Sequence, residues 1–400
     1  PAQRVEPAGE PAAIEAVHNV VRTTYPDAAV QAIYPPLYTR FAYDVLIVTA
    51  NDQRRHVYVD PYRLAVTGDA SFLNVQRYLR DFHRHLFVSG PGLYLVCLMS
   101  IPLLASLVTS VLFYKGWWRK FFSFRPGRNL RGWISNLHSW LGLWTLWFVL
   151  VIGITGAWYL WERLRGDAVD GVFSHVDVAA SAAQPLPPVA GAGRRRLPFE
   201  ALLATVREAR PDLDIGYLHT DRNGYFYVTG QAGHLLVRHR ANKVYVNAYT
   251  GEVAYNQAAS DLSPYWRWSD TADPLHFGDF GGLISKGLWC LFGLLLSFLS
   301  VSGAWLFARR LARNRRYRAK ARTTLAATGV VAVLVSITAP LPLAFLERVG
   351  PRVAGVARPA ELLPGVWLFI LAWVAITVLV ALSWLVMLWR PMRHTGVGAG

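Results

Sequence analysis

Cysteine is scarce in this sequence, and the two cysteines that are present exclude several kinds of site. Cys97 and Cys290 are the only ones in 400 residues, and both lie within apolar runs. A disulfide framework is therefore not expected, and without a C-x-x-C-H motif covalent haem attachment of the c type is excluded. The sequence also has no H-E-x-x-H or H-x-x-E-H motif for a zinc site and no G-x-S-x-G motif for a hydrolase.

Charged residues are scarce as well, and they are nearly absent from five long apolar runs. Only 16% of the residues are charged, whereas 53% are hydrophobic. A helix needs about 20 residues to cross a hydrocarbon core about 30 Å thick, and each run is that long. The runs are Leu93–Tyr114, Trp140–Trp161, Gly287–Ala308, Leu325–Leu346 and Val366–Trp389. This pattern predicts a polytopic membrane protein in contact with the lipid bilayer.

Acidic residues are missing from three polar segments that adjoin these runs. Residues 115–139, 309–324 and 390–400 contain Lys and Arg but no Asp or Glu. The number of Lys and Arg residues in these three segments equals the net charge of +16. By the positive-inside rule these segments face the cytoplasm, so the C-terminus is cytoplasmic and the long stretches before and between them face outward. The basic excess therefore reports topology, and nucleic acid is not an expected partner.

The start of the sequence lies on the outward side in this topology. Residue 1 is Pro rather than Met, and five spans with a cytoplasmic C-terminus are one short of an even number. We therefore expect a further membrane helix upstream of residue 1, with a cleaved signal peptide as the alternative.

Two outward-facing stretches repeat one order of secondary structure. Apolar residues at helical spacing, followed by alternating runs with Asn-Gly and Thr-Gly turns, predict a helix and then several strands in each. A linker rich in Pro, Ala and Gly (about 179–198) precedes the second helix, and related V-Y-V-[DN]-x-Y hairpins begin at Val57 and Val244. The fold class is thus a polytopic α-helical membrane bundle with two outer α+β modules.

The chain divides into consecutive parts on this basis. We expect an outer module (1–82), a histidine-bearing segment with a membrane helix (83–114), a cytoplasmic basic loop (115–139), a membrane helix (140–161), a second outer module with its linker (162–275), a second histidine-bearing segment with a membrane helix (276–308), a cytoplasmic basic loop (309–324), two membrane helices (325–389) and a cytoplasmic tail (390–400).

Three histidines lie at the ends of predicted membrane helices. His83 and His276 are each followed fourteen residues later by a cysteine, so their segments align without a gap. Both precede an inward-running helix and therefore lie near the outer face, whereas His138 opens an outward-running helix near the inner face. Two imidazoles at one depth on different helices favour axial ligation of a non-covalent b-type haem.

Other assignments of these residues remain open. A histidine at a membrane interface also lies comfortably among lipid headgroups without binding a metal. His85 is an alternative to His83, although the cysteine alignment favours His83, and His394 is an alternative ligand on the inner side. Arg84 and Arg131 are candidates for pairing with haem propionates, although ordinary interfacial anchoring is the favoured explanation for both.

Several motifs are shared with a known family. They are L-H-x-W-x-G at 137–142, T-G-A-W at 155–158, P-L-H-F-G-D-F-G-G at 274–282, S-G-A-W at 302–305 and the two V-Y-V-[DN]-x-Y hairpins. Over nearly its whole length the chain resembles the PepSY-associated transmembrane family, which includes iron-regulated inner-membrane proteins and ferric-siderophore reductases. The resemblance implies periplasmic PepSY-like modules, a bacterial inner-membrane location and reduction of a ferric siderophore.

The resemblance also bears on the haem sites and the partners. The family normally begins with a further membrane helix that carries its own L-H motif, which this sequence lacks, so an inner site built on His138 is incomplete here. We expect two haems b, one near each membrane face, and a cytoplasmic or membrane electron donor of unknown identity. The alternatives are a non-redox binding or regulatory membrane protein and an iron or siderophore permease.

Overall fold

The computed structural model describes residues 2–88, 90–170, 186–233, 236–313, 346, 350–353, 356–357 and 360–393. The chain divides into two compact units, which we call the sheet unit (Pro1–Arg80, His175–Pro274 and Leu346–Leu363) and the helix unit (Asp81–Ser174, Leu275–Phe345 and Pro364–Gly400). The helices among the described residues are α1 (Ile14–Thr24), α2 (Val75–His85), α3 (Pro91–Leu98), α4 (Ser100–Phe113), α5 (Leu130–Asp170), α6 (Phe199–Ala209), α7 (Pro264–Phe277), α8 (Gly282–Arg313) and α9 (Pro364–Arg393).

The sheet unit is built on one antiparallel sheet of eight strands. In chain order the strands are β1 (Ala29–Tyr34), β2 (Tyr43–Val48), β3 (Arg54–Asp60), β4 (Ala65–Ser71), β5 (Asp214–Arg222), β6 (Tyr225–Gln231), β7 (Asn242–Asn247) and β8 (Val253–Gln257). Their order in the sheet is β4-β3-β2-β1-β5-β6-β7-β8. A separate two-stranded sheet pairs β9 (Arg352–Val353) with β10 (Val356–Ala357).

The two predicted outer modules are joined in this sheet. Strand β1 pairs with β5, and Ala32 lies opposite His219 while Ile33 lies opposite Leu218. Each half by itself would leave β1 or β5 as an exposed edge with unpaired backbone groups, and this pairing removes both edges. The sequence analysis described two α+β modules, and the structure makes them two similar halves of one unit.

One hydrophobic core serves both halves. Val17 and Val21 of α1 and Leu203 of α6 are completely buried, because their helical spacing places them on a single face of each helix. Alternate strand residues such as Val45 and Phe226 are buried in the same core. The shared core explains why the two halves fold as one unit.

The helix unit contains three helical segments that are long and apolar enough to cross a membrane. They are Pro91–Phe113, formed by α3 and α4, Leu130–Ala168 within α5, and Gly282–Phe307 within α8. These segments cover the first three predicted runs to within one residue at each end, and they confirm the prediction of a membrane protein. The run Leu325–Leu346 lies outside the described residues except for its last residue. The run Val366–Trp389 falls in α9, but the apolar part of that helix, Pro364–Val380, is shorter than the other three segments.

Helix α5 is longer than the run that predicts it. The side chain of Asn129 accepts a hydrogen bond of 2.8 Å from the backbone N–H of Gly132, which caps the helix well before its apolar stretch begins. Further along, a Cβ on Gly153 would lie 2.6 Å from Leu104, and one on Gly156 would lie 3.1 Å from Ser100. These small residues let α4 approach α5 closely, as is common between membrane helices.

Candidate haem site

His276 lies in the last turn of α7, where the chain breaks before α8. Gly278 takes a positive φ of 69°, and a Cβ there would lie 2.7 Å from the ring of Trp289. The indole Nε1 of Trp289 donates to the carbonyl oxygens of Leu275 at 3.0 Å and His276 at 3.1 Å. These contacts stop α7 and fix the backbone that carries His276 against the first turns of α8.

The glycine-rich segment after His276 is held by one hydroxyl group. Ser285 Oγ donates to the carbonyl of Gly278 at 2.6 Å and accepts a bond of 2.9 Å from the backbone N–H of Gly281. The P-L-H-F-G-D-F-G-G motif therefore encodes a tight helix-to-helix connection that sets the position of His276.

His83 is placed by a similar break between α2 and α3. Leu86 and Phe87 take positive φ values of 50° and 62°, and they end α2 just after His85. A Cβ on Gly92 would lie 1.9 Å from the carbonyl oxygen of His85, so only glycine fits this position. Both glycine-rich segments thus allow close backbone approach next to a histidine-bearing turn.

The two breaks bring the predicted outer histidines together. The ring centroids of His83 and His276 are 6.2 Å apart, and the ring planes are inclined by 32°. Two imidazoles that bind one metal ion from opposite sides, each through a nitrogen about 2 Å from it, have centroids about 6 Å apart. The spacing therefore fits two axial ligands of a single iron.

The donor set around this pair distinguishes haem from a bare metal ion. The described part of the chain contains no group of three or more His, Cys, Asp and Glu side chains that are placed to hold a metal. Zinc in proteins takes three or four protein ligands, which this pair does not supply. A haem iron takes four nitrogens from its porphyrin and needs only two from the protein. The residues present fit haem.

The structure distinguishes His83 from the alternative site residues, His85 among them. His85 Nε2 lies 3.5 Å from Asp81 Oδ1 in the preceding turn of α2, and it is the ring of His83 that pairs with His276. Arg84 is exposed and Arg131 is partly buried, and within the described residues neither forms an ion pair with a carboxylate. His394 lies outside the described residues.

Each of the other two site histidines meets a buried hydroxyl group. His276 Nδ1 lies 2.8 Å from Thr155 Oγ1 of α5, and His138 Nδ1 lies 2.8 Å from Ser302 Oγ of α8. Thr155 and Ser302 are the first residues of the T-G-A-W and S-G-A-W motifs. A Cβ on Gly303 would lie 3.2 Å from His138 Cε1, so the second residue of that motif leaves room for the imidazole.

The two histidine sites lie at different depths along α5. His138 and Thr155, the partner of His276, are seventeen residues apart on this one helix. At 1.5 Å per residue the separation is roughly 26 Å, close to the thickness of a hydrocarbon core. The described residues supply one histidine for the site at His138 and two for the site at His276.

Comparison with known proteins shows the family of the chain. The family described as the PepSY-associated TM region matches residues 1–310 of the chain. The chain belongs to this PepSY-associated TM family. It is also similar to a protein of Pseudomonas aeruginosa described as uncharacterized, with 28% identity over 322 residues that cover 74% of this chain and 77% of that protein. His83, His138 and His276 all lie within the part that matches the family.

A polar cluster in this PepSY-associated TM protein lies further along α5. The ring of Tyr159 is 5.2 Å from that of His276, and Arg163 pairs with Asp167 at 2.5 Å. Tyr94 of α3 donates to Asp167 Oδ2 at 2.7 Å. Ionisable groups buried at the end of a membrane helix are costly and are usually functional. These residues lie just beyond the apolar run, which ends at Trp161, and the i, i+4 spacing of Arg163 and Asp167 is their only signal in the sequence.

The hydroxyl partners were missed for a different reason. Thr155 and Ser302 are single polar residues inside apolar helices, where threonine and serine commonly bond to their own helix backbone. Their repetition at the start of two related motifs was the available signal, but it does not say which histidine each one meets.

Proposed function

We propose that this PepSY-associated TM protein binds haem b between His83 and His276 and passes electrons across the bacterial inner membrane to a ferric siderophore in the periplasm. The observation that carries the proposal is the 6.2 Å separation of two imidazole rings from different helices, without further protein ligands among the described residues. That separation suits an iron whose remaining four ligands come from a porphyrin.

The protein residues have distinct tasks in this proposal. When bound, haem supplies a one-electron couple that the protein side chains lack. His83 and His276 would hold the iron, and Thr155 would orient His276. The aromatic contact of Trp147 with Phe292, at 4.7 Å between ring centroids, packs α5 against α8. Such packing excludes water and lowers the local dielectric constant around the cofactor.

A second haem belongs at His138 in the same proposal. The two sites lie roughly 26 Å apart along α5, so in a hydrocarbon core about 30 Å thick they would place one haem near each face. The second axial ligand at His138 would come from outside the described residues. An electron donor in the cytoplasm or the membrane delivers electrons on this side, where the positive-inside rule places the basic segments and the C-terminus.

The reaction balances with one electron for each iron. The Fe(III) of the siderophore gains one electron and becomes Fe(II), while the donor on the inner side loses one. Fe(II) is a softer ion with lower charge, so the hard oxygen ligands of a siderophore hold it less tightly and take up protons as the metal leaves. The product is ferrous iron on the outer side of the membrane.

The test uses the purified full-length protein, reduced with dithionite and freed of excess reductant without oxygen. Mixing with a ferric hydroxamate siderophore should abolish the ferrous haem absorption band and release Fe(II) that ferrozine traps, one iron per electron. The gallium complex of the same siderophore has nearly the same size and charge but accepts no electron, so it should leave the band unchanged. A ferrous band that persists with the ferric siderophore would contradict the reductase activity and favour a permease or a binding protein.

A further inference from the structure

The first residues of the T-G-A-W and S-G-A-W motifs lie beside His276 and His138, and the distance between the two outer histidines does not explain why. We infer that the hydroxyls of Thr155 and Ser302 are positioning groups that fix the tautomer of His276 and His138, so that each imidazole keeps its Nε2 lone pair for iron. This inference rests on the proposed haem function and assigns the residues that prepare the ligands for it.

The hydrogen atom of each hydroxyl can be placed by its contacts. Thr155 Oγ1 lies 2.8 Å from the carbonyl oxygen of Val151 and 3.2 Å from that of Ile152. A carbonyl oxygen only accepts hydrogen bonds, so the single hydroxyl hydrogen of Thr155 points to the backbone. Towards His276, 2.8 Å away, the hydroxyl then offers only a lone pair.

Ser302 repeats this geometry on the other helix. Its Oγ lies 2.6 Å from the carbonyl oxygen of Phe298 and 3.3 Å from that of Leu299, and His138 Nδ1 lies 2.8 Å away. By the same reasoning, the hydroxyl hydrogen of Ser302 points to the backbone and a lone pair of Oγ faces the imidazole. Two independent hydroxyls therefore meet Nδ1, not Nε2, of two different histidines.

The tautomer follows from this accounting. Nδ1 must carry the hydrogen that it donates to the hydroxyl oxygen, and in a neutral imidazole the other nitrogen, Nε2, is then unprotonated. The opposite tautomer would make the hydroxyl turn away from its backbone carbonyl, so that one hydrogen bond would be lost. Thr155 is 1% exposed and Ser302 is 5% exposed, so water does not replace the lost bond.

The two pairs are also reciprocal across the helix bundle. The hydroxyl on α5 holds the histidine that precedes α8, and the hydroxyl on α8 holds the histidine at the start of α5. The bond of Ser302 therefore joins α8 to α5, and the bond of Thr155 joins α5 to the end of α7, just before α8. Outer-shell partners of metal-binding histidines raise ligand basicity, and their loss typically weakens metal binding about 10- to 100-fold.

The experiment compares Thr155→Val, which keeps the shape but loses the hydroxyl, with Thr155→Ser, which keeps the hydroxyl. Haem affinity and reduction potential are measured by haem titration and spectroelectrochemistry on the full-length protein. Thr155→Val should bind the outer haem about 10- to 100-fold more weakly and raise its reduction potential, because a less basic ligand stabilises Fe(III) less. Thr155→Ser should match the parent in both measurements.

Ser302→Ala and Ser302→Thr form an independent pair for the inner histidine, and they keep the test decisive if Thr155→Val does not fold. A purely structural role would change the unfolding temperature without moving the potential of the haem that remains bound. Equal potentials and affinities in each hydroxyl-free variant and its hydroxyl-retaining partner would overturn the inference. A parent protein without haem would overturn the proposed function, and the inference with it.

Discussion

The ring of His276 has neighbours of three kinds, and each has a separate effect. Thr155 Oγ1 lies 2.8 Å from its Nδ1, the ring of Tyr159 packs against it at 5.2 Å between centroids, and the ring of His83 lies 6.2 Å away. His83 is exposed on its helix, whereas His276 is held by Thr155 and Tyr159. At the scale of residues, the ring of His276 therefore has more fixed neighbours than the ring of His83.

The pair His83 and His85 gives a matched test at this scale. If His83 is an axial ligand as proposed, His83→Ala should abolish the low-spin spectrum of the outer haem, while His85→Ala removes only the contact with Asp81 at 3.5 Å and should preserve that spectrum. The absorption spectrum of each purified variant checks this expectation. Loss of the outer haem from His85→Ala, with retention in His83→Ala, would reverse the assignment.

At the scale of elements, the helix breaks position the histidines, and the break between α2 and α3 allows a direct test. Gly92→Ala places a Cβ 1.9 Å from the carbonyl oxygen of His85, a backbone atom that cannot move without shifting α2. We expect a cost of about 1–3 kcal/mol in stability, as for overpacked sites, and weaker binding of the outer haem.

Gly287 provides the control for that substitution. It lies within α8, and a Cβ there would meet nothing within 4 Å. Gly287→Ala should therefore leave haem content and the thermal unfolding temperature unchanged or slightly improved. A Gly92→Ala protein that behaves like Gly287→Ala would show that the close approach has no role in placing His83.

Another element-scale prediction concerns how α7 is held in the sheet unit. Arg240 Nε pairs with the buried Asp270 of α7 at 2.6 Å. Burial raises the pKa of Asp270, and the charge of Arg240 counteracts part of that rise. Removing Arg240 leaves a buried carboxylate without this partner, so Arg240→Ala should destabilise the protein by about 3 kcal/mol at neutral pH.

The pH dependence of this variant has a definite sign. Without Arg240 the pKa of Asp270 in the folded protein rises further, so the variant loses stability relative to the parent as pH rises through that pKa. The deficit in unfolding temperature should therefore shrink at acidic pH, where Asp270 is protonated. Arg207→Ala, which breaks the exposed pair with Glu15, should cost less than about 1 kcal/mol. A deficit for Arg240→Ala that is independent of pH would contradict this account.

At the scale of the whole molecule, the distribution of charge predicts the orientation. The parent has two cysteines, both in apolar segments, so single engineered cysteines report accessibility clearly. An exposed cysteine at Glu208→Cys should react with a membrane-impermeant maleimide in spheroplasts, and one at Arg128→Cys should react only after lysis. The reverse labelling pattern would invert the topology and place the His83–His276 pair on the cytoplasmic side.

The sequence was informative about the membrane helices and the outer histidines for physical reasons. Apolar length defines a membrane helix, and the ungapped alignment of Cys97 with Cys290 selected His83, which the structure places beside His276. The pairing of β1 with β5 was not predictable, because Ala32 and His219 are far apart in sequence and each half has its own complete strand pattern. The partner of Thr155 depends on how α5 and α8 cross, which composition does not encode.

The absorption spectrum of the purified, full-length protein shows whether it binds haem through the two outer histidines. We expect a Soret band that shifts on dithionite reduction, as for an iron held by two histidines, and loss of the outer haem signal in His276→Ala. His219→Ala, which changes a histidine on strand β5 of the sheet unit, should leave the spectrum intact. A colourless protein with full helical content, or identical spectra for the parent and His276→Ala, would contradict the account.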